Sequence, residues 1–244
     1  MSRGPLQPVR ILVTGFGPFP DVPCNASEAV VRGVTAGAGV PGAEIATATI
    51  PVVWAGAREV SRGAIARFDP HAILHFGVSR RALAFEIETR AFNVSGPKQD
   101  HAGEVRPSMP LVAGGRPILT PELPPLDLVR ALRRSGYPAV LSRDAGRYLC
   151  NALFYWSLAD GEADGRLVSF VHMPAFGADK DVKPRLTIHK ATEGARILVR
   201  AAAEAVLRAS QTKASPRGRS KGDGSQALHW NGRSRRGIAW RDAG

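Results

Sequence analysis

Phe68-Asp69-Pro70-His71-Ala72-Ile73-Leu74-His75-Phe76-Gly77 is the stretch on which the fold class turns. Ala72 to Phe76 is a largely apolar run of strand length, bounded by Asp69-Pro70 and Gly77, and it reads as a buried strand. Upstream, Trp54 to Phe68 reads as a helix closed by Asp69-Pro70. A helix feeding directly into a buried strand belongs to an alternating α/β chain. The same alternation continues outward in both directions. Ile11 to Val13 reads as a strand ending in Thr14-Gly15, Ser27 as the cap of a helix reaching about Val34, and Glu44 to Val53 as an extended segment.

Downstream, Ala84 to Val94 reads as extended, and the proline- and glycine-rich Ser95 to Pro125 as a loop long enough to be functional. A helix from Leu126 to Ser135 stops at Gly136 and Pro138, a strand spans Ala139 to Ser142, a helix opens near Tyr148, and a strand spans Leu167 to Val171. From Leu186 to Ser210, Ile188, Ala191, Ala195, Leu198, Val199, Ala202 and Val206 recur at three and four, which predicts an amphipathic helix packed on the sheet. The expected architecture is a three-layer α/β/α sandwich around a mostly parallel twisted sheet, in a domain spanning 1–210.

With 44% hydrophobic residues among 244, the chain can bury one sizeable core. Neither a signal peptide nor a membrane-length apolar run is present, so a cytoplasmic protein with no membrane association is expected. Cys24 and Cys150 are too few for a disulfide framework or a cysteine zinc site, and His71 and His75 have no third ligand beside them. No metal and no cofactor are expected. The formal charge of +12 is uneven: from Gln211 onward eight cations stand against Asp223 and Asp242, a net of +6. Residues 211–244 show no apolar periodicity and read as a disordered basic tail, for which nucleic-acid binding is a minor alternative to a solvated appendage.

Three residues carry chemistry. Cys150 follows a glycine turn and falls at a helix's first turn, where free backbone amides favour a thiolate; a buried, inert thiol is the competing reading. His172 follows the strand Leu167 to Val171, where its ring reaches the crevice at the carboxyl ends of the strands or serves a structural role. Glu88 shares a strand face with Glu86 and Arg90 by period two, either functional or a solvated charged face.

Taken with their neighbours these residues resemble the pyroglutamyl peptidase I family of cysteine peptidases. Val13-Thr14-Gly15-Phe16-Gly17-Pro18-Phe19, followed by Asn25-Ala26-Ser27, is similar to its amino-terminal signature. Ala145-Gly146-Arg147-Tyr148-Leu149-Cys150 resembles its nucleophile motif, Phe170-Val171-His172-Met173-Pro174 its histidine motif, and Glu88, five residues before Asn93, its glutamate motif. The resemblance implies Cys150 as nucleophile, His172 as base and Glu88 as the third member. It further implies that Phe16, Phe19 and Tyr148 line a pocket for the pyroglutamyl ring of a peptide substrate, and it is consistent with a homo-oligomer. Gly77-Val78-Ser79-Arg80 departs from the Gly-Gly-Arg of many bacterial members, and the arginine expected before Asp100-His101-Ala102-Gly103 has no clear counterpart beside Pro97 and Lys98. An amidase or deacylase with the same three residues and a reshaped pocket is the alternative reading within the enzyme class.

Overall fold

The computed structural model describes residues 7–18, 25–36, 39–175 and 186–214. Strand β1 (Val9–Phe16) leads into helix α1 (Ala26–Thr35), β2 (Ala43–Ile50), α2 (Trp54–Phe68) and β3 (Ala72–Ser79). There follow β4 (Phe85–Glu88), β5 (Ala91–Phe92), β6 (Ile118–Leu119), α3 (Pro125–Arg134), β7 (Ala139–Ser142), α4 (Leu149–Asp164), β8 (Leu167–Pro174) and α5 (Ile188–Ala214). Six strands form the main sheet in the order β2-β1-β3-β8-β4-β7, every neighbouring pair parallel except β4 with β8. The mostly parallel sheet expected from the sequence is present.

Alternation along the strands divides the core in two. Ile11, Val13, Leu74, Phe85, Ile87, Val171 and Met173 pack against α1, α3 and α5 on one face. Leu12, Phe16, Ile73, Val168 and Phe170 pack against α2 and α4 on the other, completing three layers. α4 is apolar nearly all round because it touches the sheet, α2 and the small β5–β6 ribbon at once. Each large side chain withdrawn fully in this way, Phe170 and Phe154 among them, contributes about 1.5–3 kcal/mol.

Several expectations need correction. The cap of α1 is Asn25, whose side chain accepts from the Ser27 amide; the Ser27 hydroxyl instead accepts from the Phe16 amide at 3.0 Å. The amino-terminal signature thus works as a clamp, since Asn25 also donates to the Gly17 carbonyl at 2.9 Å. The extended segment Ala84 to Val94 is two strands: the Thr89 amide makes the last ladder bond of β4 with β7, to the Ser142 carbonyl that its hydroxyl also reaches, and the chain then pairs as β5 with β6. Arg90 therefore shares no strand face with Glu86 and Glu88. The long loop contains β6, and its backbone is held by side chains: Asn93 bonds Val112 and Gly115, and the Ser95 hydroxyl bonds Pro107. α5 starts at Ile188 and runs to Ala214, so the expected tail boundary falls within the helix, and the rest of that tail, 215–244, lies outside the described residues. No helix among the described residues is long and apolar enough to cross a membrane.

Candidate active site

Gly146, at φ +82°, turns the chain after β7 so that Tyr148 becomes the N-cap of α4 and Cys150 falls in its first turn. No side chain caps this helix among the described residues, which leaves first-turn amides free to meet an anion. Cys150 is partly exposed. Its sulfur rests against β3 at Gly77, where an added Cβ would stand 3.1 Å from Cys150 Sγ and 2.9 Å from Phe170 Cζ. Gly77 pairs with His172 across the parallel β3–β8 ladder, so the missing side chain on β3 is what lets the helix bring sulfur to imidazole.

His172 donates from Nδ1 to Glu88 Oε1 at 2.8 Å. Burial pushes its pKa down, but hydrogen bonds with Cys150 and Glu88, together with their negative charges, outweigh that and hold it up at about 10. The ring is therefore a cation at neutral pH. Glu88 is fully buried, which overturns the solvated-face reading of this strand; His172 is the opposite charge that makes its burial tolerable. Its second oxygen, Oε2, is buried without a hydrogen-bond partner among the described residues, a condition that costs about 1–3 kcal/mol.

Glu86 also belongs to this cluster. It stands directly opposite His172 in the antiparallel β4–β8 pair, and one oxygen each from Glu86 and Glu88 and one ring nitrogen of His172 lie within 4.8 Å of one another. These donor types suit a divalent cation, but the proton on His172 already supplies the positive charge between the two carboxyls, and no metal ligand is assigned here.

The expected pocket residues fare differently. Phe16 is buried at the end of β1 with its ring 6.5 Å from that of Phe170, which in turn lies 4.9 Å from the His172 ring, so it adjoins the site through Phe170. Tyr148 is half-buried, donates to the Gln99 carbonyl at 3.1 Å and stands edge-on to Trp54 at 5.6 Å. Phe19 lies outside the described residues. Asp100 organises the turn that follows: its carboxylate accepts from the amides of Ala102, Glu104 and Trp54, the last at the start of α2. Lys98 occupies the face of the Tyr148 ring at 4.8 Å, and Val78 and Ser79 close β3 beside Met173 and Pro174.

Phe170, Trp54 and Asn151 were not singled out as site residues by the sequence. Asn151, next to Cys150 and fully buried, accepts from the Phe92 amide and donates to the Phe92 and Val94 carbonyls, tying the strand after Glu88 to the helix of Cys150. A polar side chain between the apolar Leu149 and Ala152-Leu153-Phe154 was the available signal. His75, unused in any of this, is buried between Thr14 (2.6 Å) and Ser157 (2.9 Å), and burial pushes its pKa down to about 3. His71 accepts from the Arg10 amide, so the two histidines serve separate structural roles.

The chain is similar to a set of known peptidases. The family model described as pyroglutamyl peptidase matches residues 9–208. A pyrrolidone-carboxylate peptidase of Pyrococcus furiosus is 28% identical over 82% of this chain and its own full length, and one of Clavibacter michiganensis is 33% identical over 70% of this chain and 83% of its own. A solved pyroglutamyl peptidase I of Bacillus amyloliquefaciens superposes with a TM-score of 0.74 at 27% identity, covering 80% of this chain and 97% of that one. A mutant pyrrolidone carboxyl peptidase of Pyrococcus furiosus gives 0.76 at 26% identity, covering 81% and 99%.

Proposed function

The chain belongs to the pyroglutamyl peptidase family, and from that premise we propose that it removes N-terminal pyroglutamate from peptides with Cys150 as nucleophile, His172 as acid and base, and Glu88 as the group that orients His172. It is a cysteine hydrolase. The observation that carries the assignment of residues is the arrangement of Cys150 Sγ over Gly77, beside a His172 whose Nδ1 is held by Glu88 at 2.8 Å.

The chemistry follows from the charges. The thiolate attacks the pyroglutamyl carbonyl, and the oxygen that gains charge meets the amide of Cys150 in the first turn of α4. His172, already protonated, gives its proton to the departing amine as the C–N bond breaks, leaving a thioester and a neutral imidazole. That imidazole takes a proton from water, hydroxide adds to the thioester, and pyroglutamate leaves as the thiolate and imidazolium re-form. Glu88 keeps Nδ1 occupied throughout, so Nε2 is the nitrogen that exchanges protons.

The lactam is neutral, so its recognition calls for aromatic walls and backbone partners, to which Phe16, Phe19 and Tyr148 are assigned, with Phe170 behind them. The unit carrying the activity is taken as 1–210, supported by a family match ending at 208 and by core packing of α5 as far as Val206. The need to keep Cys150 reduced favours a cytoplasmic setting. None of the relatives described favours the amidase or nucleic-acid alternatives.

A steady-state assay with a chromogenic pyroglutamyl amide, run beside the prolyl and glutaminyl amides, tests the function. Turnover of the first alone is expected; equal turnover of the prolyl amide would exclude a pocket that reads the lactam carbonyl.

A further inference from the structure

We propose that Glu86 is a positioning residue for the catalytic pair: its carboxyl, carrying a proton, donates to the orphaned Oε2 of Glu88 and so locks Oε1 onto His172 Nδ1. The inference rests on the triad reading above and adds a fourth side chain to it.

Three observations lead there. First, β4 and β8 put Glu86 directly across from His172 with Glu88 two residues along the same face, so the strand ladder gathers all three side chains. Second, Glu88 Oε2 is buried with no partner among the described residues, and within this cluster Glu86 is the side chain able to supply one. Third, Glu86 is half-buried, so rotating its side chain toward Oε2 disturbs no packed core. Its surroundings favour the protonated form: burial pushes its pKa up, the His172 cation pulls it down, and the Glu88 charge pushes it up again. Across on β7 the residue in register is Val140, which brings no charge, and beyond His172 the only ionisable group of α4's first turn is Cys150.

A carboxylate that spins about its own bond loses its hold on Nδ1 part of the time; a donor on its second oxygen removes that freedom. The proton neutralises one of two carboxyls that would otherwise crowd a single imidazolium, and nothing in the reaction consumes it.

The test compares Glu86→Gln and Glu86→Ala with the parent chain, measuring kcat, KM and melting temperature across pH, with Glu88→Gln alongside. A Gln amide donates to Oε2 without titrating. Glu86→Gln should therefore keep kcat near the parent value and lose the parent's decline as Glu86 deprotonates, while Glu86→Ala loses about tenfold in kcat with KM unchanged. Equal losses in both variants would mean that charge, not donation, is at work, and would overturn the proposal. So would an Ala variant indistinguishable from the parent. If Glu88→Gln leaves turnover intact, the triad reading fails as well; if it abolishes turnover while both Glu86 variants are silent, only this inference fails.

Discussion

At the scale of the residue, Cys150 and His172 define each other's state. The imidazole is buried, which alone would strip its proton, and it keeps that proton because Cys150 and Glu88 both bond to it and oppose its charge. Cys150→Ser removes one of those two supports and replaces the proposed nucleophile with a group that is not ionised by a neighbouring imidazole of this kind. The variant should fold, lose measurable hydrolysis of a pyroglutamyl amide, and show a His172 pKa well below about 10 when the ring is titrated by NMR. Cys24→Ser is the comparison and should retain most activity. A His172 titration left unchanged by Cys150→Ser would mean that sulfur and imidazole do not meet. Cys150, His172 and Glu88 could be named as candidates from their neighbours in the sequence, and the structure brings them together. Glu86 was legible only as far as its face: period two puts it beside Glu88, but whether that face meets water or an imidazole depends on β8, some eighty residues away in the chain. The β4–β8 pairing is what sets Glu86, half-buried, opposite His172.

At the scale of the element, the site depends on how closely α4 lies on the sheet. Helices α2 and α5, β7 and the apolar centres of the parallel strands could be read in the sequence because period and punctuation agree there, as in Trp54–Phe68, which closes on the left-handed Asp69. The break after Glu88 could not, because Thr89 carries no turn signature and the next strand, β5, is defined by its pairing with β6 far along the chain. Gly77 looked like a strand terminator, but β3 continues through it to Ser79, and its glycine serves the helix above. Gly77→Ala tests that role. The new Cβ would stand about 3 Å from both Cys150 Sγ and the Phe170 ring. Backbone pairing with His172 can persist, so the strand should survive at an overpacking cost of about 1–3 kcal/mol. Displacing the sulfur from the imidazole should lower kcat by about a hundredfold or more. A melting curve and a kcat measurement on the same sample separate the two effects; undiminished turnover would show that the sulfur does not depend on the gap at Gly77.

At the scale of the whole molecule, two buried histidines on neighbouring strands set opposite limits on stability against pH. His75 is neutral in the fold, its pKa pushed down by burial to about 3, while in the unfolded chain it takes a proton near its ordinary 6.5. Between those values the unfolded chain binds the extra proton, so His75's contribution is intact above about 6.5 and is lost progressively as the pH falls toward about 3. His172 runs the other way. Its folded pKa is held up at about 10, so its contribution is complete below about 6.5 and is lost as the pH rises toward about 10. Together they place the stability maximum contributed by the histidines near their shared unfolded value. Substitution should resolve the two limbs. His75→Gln keeps neutral partners for Thr14 and Ser157 and should remove up to one proton of slope, about 1.4 kcal/mol per pH unit, from the acid limb alone. His172→Gln leaves Glu88 buried without its cation, so it should be less stable at neutral pH and should lose the same slope from the alkaline limb alone. Denaturant unfolding of the three proteins across pH measures both limbs. A single variant that flattened both would show that the two rings titrate as one network, through Phe170, which lies 6.1 Å from His75 and 4.9 Å from His172.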